Sequence, residues 1–140
     1  MANGSDTLKK QLEALNRHDA GTFASFYRSD VSVFDPAYPD PLRGQDAVRK
    51  DMEDFVTAFP DLEMKIERVI EDGSAAAYEI RMTGTHKGPL LGPAGHIPAT
   101  DKRIEVGGGV FARFDNEGRI IEERRYYDLA GLHGQIGLLQ

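Results

Sequence analysis

Apolar positions follow two different periods along this 140-residue chain, and the change from one to the other falls near Pro60. Before it the spacing is helical. Leu8, Leu12 and Leu15 stand at i, i+4 and i+7, one stripe of a helix that Ser5 or Asp6 can cap and that stops near His18-Asp19, ahead of Gly21. A shorter second helix places Phe23, Phe26 and Tyr27 on one face and breaks at Ser29-Asp30. A strand over Val31–Phe34 then delivers Asp35 to a loop, 36–44, stiffened by Pro36, Pro39 and Pro41. A third helix fits 45–58, with Val48, Met52, Phe55, Val56 and Phe59 inward, and Pro60 ends it.

Beyond Pro60 the period falls to two. Leu62, Met64 and Ile66 alternate with charges up to a turn at Glu71-Asp72-Gly73. From about Ala75 to His86, Tyr78, Ile80 and Met82 face one way and Glu79, Arg81 and Thr83 the other, with His86 on the apolar side. Residues 87–101 are rich in Gly and Pro and read as a loop. Ile104, Val106, Val110 and Phe114 share a third long strand. Gly107-Gly108-Gly109 in its middle implies a bulge, strong curvature or a ligand close to the backbone. The turn Asp115–Gly118 leads to a last strand, Arg119–Asp128, and an apolar tail, LAGLHGQIGLL. Helices followed by strands predict an α+β fold: three N-terminal helices packed on a curved, mostly antiparallel sheet.

Composition narrows the class. The length suits one domain over 1–140, with residues 1–4 a disordered tail. The chain has no cysteine, which excludes disulfides, thiolate metal sites and a Cys nucleophile. A formal net charge of −6 argues against a nucleic-acid partner. No apolar run reaches the ~18 residues of a membrane span, and the first ten residues lack the apolar core of a signal peptide. A soluble cytoplasmic protein is expected.

Three segments carry a resemblance: FYRSDVSVFDPAYPDPLRG at 26–44, TGTHKGPLLGP at 83–93 with PATDKR at 98–103, and ARFDNEGRIIEERRYYDLAGLHGQIGLL at 112–139. Together they resemble the nuclear transport factor 2-like cone fold, and the last two the SnoaL-like polyketide cyclases in particular, through the Gln135-Ile136-Gly137 tail. The resemblance also reaches the ketosteroid isomerases. It implies a cone-shaped pocket, no cofactor, a small apolar substrate or ligand, and a homodimer. Asp35-Pro36 falls where an isomerase has its general base. The isomerase oxyanion-hole positions fall at Gln11 and Val110. The cyclase acid/base position falls at Arg125, and the polar partners of that acid at Gly108 and Val110.

The candidate site follows from both lines. Asp35 reads either as a base in an apolar pocket or as a cap on the turn before Pro36. Glu123, Arg125 and Tyr127 share a face if the last strand keeps the phase the resemblance gives it; the opposite phase turns Glu122, Arg124 and Tyr126 inward. Arg125 would hold an anionic oxygen or enolate, and Tyr127 would donate a hydrogen bond or wall the pocket. His86 is a third catalytic candidate, by parity and by its titration near neutral pH. Tyr27, Phe55 and Val110 are wall residues that also read as core. His18, His96 and His133 have weaker claims, His96 in a loop over the pocket mouth. Asp128 reads as a cap. No His pair has ligand spacing, so no metal site is expected. Two functions are carried forward: a proton-transfer isomerase or aldol-type cyclase, and a non-catalytic binding or assembly module on the same cone. A third, hydrolysis through activated water, needs Glu123 as a second inward carboxylate.

Overall fold

The computed structural model describes residues 4–92 and 95–138. The expected tail therefore lies outside the described residues except for Gly4, as do positions 93 and 94 of the expected loop and the end of the apolar tail. Gly4 already belongs to the first helix, α1 (Gly4–Asn16), which begins ahead of the expected Ser5 or Asp6 cap. Its buried face holds Thr7, Leu8, Gln11, Ala14 and Leu15. The second helix, α2 (Ala20–Ser25), is capped by Asp19, whose side chain accepts from the Thr22 N–H. Phe26 ends it, so Tyr27 opens the strand β1 (Tyr27–Phe34) instead of closing a helix face.

The proline loop contributes a two-residue strand, β2 (Leu42–Arg43), before α3 (Gln45–Ala58). Then come β3 (Glu63–Asp72), β4 (Ala75–Thr85), a small hairpin of β5 (Leu90–Gly92) and β6 (Gly95–Ile97), β7 (Arg103–Phe114), β8 (Ile120–Tyr127) and α4 (Leu129–Gln135). Segments read as loops at 36–44 and 87–101 thus each hold short pairing strands. The apolar tail forms a fourth helix, capped by Asp128 through the Gly131 N–H at 2.7 Å. The described residues thus hold four helices, the C-terminal α4 in addition to the three expected, with β1 and β2 lying between α2 and α3.

Among the described residues six strands form one curved, mixed sheet in the order β2-β1-β8-β7-β4-β3. All neighbours are antiparallel except β1 and β8, which run parallel and bring residues 33 and 123 together. The β4–β7 register is continuous through the three glycines, so they form no bulge. A Cβ on Gly108 would stand 2.8 Å from the Tyr126 carbonyl oxygen and 3.1 Å from Tyr127 Cβ, so close packing of the neighbouring strand accounts for this glycine. A bulge lies instead in β8: Arg113 pairs with Glu122 but Phe114 with Ile120, leaving Ile121 as the extra residue.

Helix α1 lies against β3, α3 against β1 and β2, and α4 against β7. Between them, Leu8, Leu15, Phe23, Val48, Met52 and Phe59 meet the inward row Tyr78, Ile80, Met82, Val106 and Val110. Among the described residues no helix is long and apolar enough to cross a membrane.

Candidate functional site

The helices do not fill the concave side of the sheet. They leave a cavity of about 740 Å³. Its walls are apolar over much of their extent, from Leu8, Leu12 and Leu15 on α1 to Met52 and Phe55 on α3 and Ile80 and Met82 on β4. Against that background one polar cluster stands out, built where β1, β8 and α3 meet.

Arg125 is its hub. By register on β8 it shares a face with Glu123 and Tyr127, opposite Val110 and Gly108 of β7. Its Nε donates to Glu123 Oε2 at 2.7 Å, and its Nη1 donates to Asp35 Oδ2 at 3.0 Å and to Asp51 Oδ2 at 2.9 Å. Asp35 continues the inward parity of Val31 and Val33, and its side chain is only 6% exposed. Asp51 reaches in from α3, one residue before buried Met52.

Each carboxylate also receives one phenol. Tyr127 donates to Asp35 Oδ1 at 2.6 Å, Tyr38 to Asp51 Oδ1 at 2.5 Å and Tyr27 to Glu123 Oε1 at 2.8 Å. The Ala37 N–H adds a third bond to Asp35, again on Oδ1, at 2.8 Å. Thus Asp35 is both a turn cap and a cavity residue; the two sequence readings are compatible.

With its acids ionised the cluster holds three negative charges and one positive. Burial opposes the Arg125 charge, but the Glu123, Asp51 and Asp35 carboxylates outweigh it and hold the guanidinium protonated, its pKa raised. Burial, followed by the facing carboxylate, raises the pKa of Tyr27, Tyr38 and Tyr127, so all three are neutral donors at physiological pH. Tyr78 is raised in the same way, by burial first and then by Glu123.

The structure therefore brings Asp35, Glu123, Arg125, Tyr127 and Tyr27 together, with Phe55 and Val110 on the same cavity wall. It does not bring His86. That residue is on the apolar side of its strand, as parity implies, but past the end of β4 and away from the cavity lining. It is fully buried, its ring 5.4 Å from that of Phe59 and its Nδ1 3.0 Å from Thr100 Oγ1. Burial lowers its pKa. Its expected catalytic place is corrected to a packing position, because the strand outruns the cavity. His96, on β6, is exposed and does not line the cavity; His133, on α4, does.

Asp51 and Tyr38 escaped the sequence reading. Asp51 sits three residues after Val48 and four before Phe55, an acid on an apolar helical stripe, and that was its available signal. Tyr38 lies in a proline loop with no period to place it. Among the described residues no three His, Asp or Glu side chains are arranged to hold a metal ion; the guanidinium of Arg125 stands between the three acids.

A helix-lined concave sheet enclosing an apolar cavity with a buried acid–tyrosine cluster defines a small α+β pocket protein. The family profile of the SnoaL-like polyketide cyclases matches residues 5–136, and the chain belongs to that family. Solved structures share the fold. TsrD from Streptomyces laurentii is 24% identical, with 96% of this chain and 95% of that one covered and a TM-score of 0.82. A SnoaL-like polyketide cyclase from Agrobacterium tumefaciens is 20% identical, covering 98% and 100%, with a TM-score of 0.78. A protein of ketosteroid isomerase-like fold from Catenulispora acidiphila, solved in complex with trimethylamine, is 16% identical, covering 95% and 93%, with a TM-score of 0.78. No curated protein matches the sequence.

Proposed function

We propose that this chain is a cofactor-independent proton-transfer enzyme, an isomerase or an aldol-type cyclase, acting on a small apolar ketone or polyketide-like substrate in the cavity. Membership of the cyclase family supports a cyclase or isomerase role. The observation that carries the reading to particular residues is the contact of Asp35 with both Tyr127 and Arg125 at the wall of an apolar cavity.

A carboxylate offers about four lone-pair sites. On Asp35, Tyr127 and Ala37 take two on Oδ1 and Arg125 one on Oδ2, which leaves a site on Oδ2 for a substrate proton. In the proposed step the C–H proton α to the ketone passes to Oδ2 and the bonding pair becomes an enolate. Protonated Asp35 is a weaker acceptor, so the Tyr127 O–H turns to the enolate oxygen. Return of the proton to another carbon completes an isomerisation. Attack of the enolate carbon on a second carbonyl forms the C–C bond of an aldol ring, and the alkoxide takes the proton back from Asp35.

Arg125 holds Asp35 in place through Nη1; with Nε and Nη1 committed to carboxylates, Nη2 is the donor it has left for an enolate oxygen. Glu123 accepts one bond on each oxygen and is the second inward carboxylate of the hydrolytic reading. The binding-module alternative rests on the same engagement: a cluster this fully bonded is also a rigid wall.

One measurement separates the two. Exchange of ketone α-protons in D2O, followed by NMR over a panel of apolar ketones and polyketide-like esters, reports abstraction before any product is known. Wild type should catalyse exchange and Asp35→Asn should slow it at least ~100-fold. Equal exchange in the variant removes Asp35 from the mechanism; a ketone that binds wild type without exchange favours the module.

A further inference from the structure

Asp51 is the acid of the cluster with the most open surface. Its side chain is 16% exposed, against 6% for Asp35 and 3% for Glu123, and it lines the cavity. A carboxylate has about four acceptor sites. On Asp51, Tyr38 fills one on Oδ1 and Arg125 one on Oδ2. Among the described residues no backbone N–H adds a third, as Ala37 does on Asp35. Acceptor sites therefore remain on a group that the cavity reaches. Glu123 is bonded in the same way, but its deeper burial leaves it little surface to offer.

These sites admit one kind of partner. An ionised carboxylate accepts hydrogen bonds and donates none, so it repels carbonyl and ether oxygens and takes an O–H or N–H. A primary ammonium would bring three donors, and the apolar walls beside Asp51, Met52 and Phe55 among them, answer none of the surplus. A hydroxyl brings one. Its place relative to the reacting carbon follows from Arg125. Nη1 donates to Oδ2 of Asp35 at 3.0 Å and to Oδ2 of Asp51 at 2.9 Å, so the two carboxylates flank a single nitrogen. A C–H presented to Asp35 and a hydroxyl presented to Asp51 then belong to adjacent atoms of one molecule.

We propose that Asp51 is a specificity-determining residue that accepts a hydrogen bond from a substrate hydroxyl on the carbon next to the one Asp35 deprotonates. This rests on the ketone reading of the cavity and deepens it. The substrate class becomes apolar ketones that carry a hydroxyl beside the reacting carbon, and a ketone without that hydroxyl engages only the Asp35 side of the cluster.

The test compares the aldol of acetone and benzaldehyde with its deoxy analogue, benzylacetone, and with its methyl ether, by calorimetry and by α-proton exchange in D2O. For wild type the hydroxyketone should bind about 10–100-fold tighter than benzylacetone, the scale of one hydrogen bond to a charged acceptor, and the ether no tighter than benzylacetone. In Asp51→Leu, or in Asp51→Ala should the first variant fold poorly, the ratio of hydroxyketone to benzylacetone affinity should fall to near one. A role confined to holding Arg125 would weaken the three ligands alike and leave that ratio where it was. If benzylacetone binds and exchanges its α-protons but the hydroxyketone is not preferred, if the ether binds as tightly as the hydroxyketone, or if the ratio survives the substitution, the assignment of Asp51 is wrong and the ketone reading stands. If none of the three binds, or the bound ketones do not exchange, the ketone reading fails and takes this assignment with it.

Discussion

Asp35, Asp51 and Glu123 share one guanidinium and have one tyrosine apiece, and this sets what each substitution should do. Arg125→Met removes the cation and leaves three acids together with no counter-ion. Breaking a buried pair in this way costs about 3–5 kcal/mol, so a fall in ΔG of unfolding of that order is expected by urea titration. Tyr127→Phe removes only the hydroxyl and its bond to Asp35. It should cost about 1.5–3 kcal/mol of stability while α-proton exchange slows about 10–100-fold; an unchanged rate would return Tyr127 to the wall. At this scale the sequence left Asp35 between a pocket and a turn, and the structure gives it both, as it extends the alternation of Val31 and Val33 into the cavity wall. Asp51 was not legible: in a helix an acid beside the apolar stripe is ordinarily solvated, and only the arginine arriving from β8 gives it a buried partner.

Among the elements, β8 is the one whose face could not be read from period alone. Ile120 and Glu123 are both buried although three residues apart, which an unbroken strand forbids. The extra residue Ile121 changes the phase and turns Glu123, Arg125 and Tyr127 toward the cavity. Gly108 completes the arrangement from β7, because a side chain there would strike the Tyr127 Cβ and the Tyr126 carbonyl. Gly108→Ala should therefore cost about 1–3 kcal/mol and weaken ketone binding together, read by thermal melts and titration.

The strand end beyond the cavity gives a pH dependence. Burial, opposed more weakly by the Gly88 backbone and the Asp101 charge, lowers the His86 pKa below its ordinary 6.5 in the folded state. As pH falls the unfolded chain takes up this proton first, so stability is complete above about 6.5 and is lost as pH drops through that value toward the lower folded pKa. His86→Phe should flatten the acid side of the Tm–pH curve relative to wild type; parallel curves would remove His86 as the cause.

For the whole molecule, the outer face of the sheet is proposed as a homodimer surface. Phe111 and Tyr126 are 57% and 56% exposed, with rings 5.9 Å apart and edge to face. Ile70 is exposed with them, and charges of both signs border the face, Arg68 paired with Glu79 and Arg113 with Glu122. A two-fold axis through this face would set the patch against its own copy and bury it. Sedimentation should give twice the 15.5 kDa chain mass for wild type and the single mass for Phe111→Arg. A wild type that sediments as a monomer at all concentrations would rule the surface out.

The sequence by itself determined the long elements and much of their inward rows. Periods of 3.6 and 2 belong to local backbone geometry, so α3 over 45–58 and the alternation of β4 needed nothing else. The tertiary structure alone decided which side chains meet. The parallel pairing of β1 with β8 joins residues about 90 apart in the chain, the bulge at Ile121 chooses the face of the last strand, and the length of β4 carries His86 past the cavity. Those outcomes depend on register, and a shift of one residue reverses every side chain on a strand.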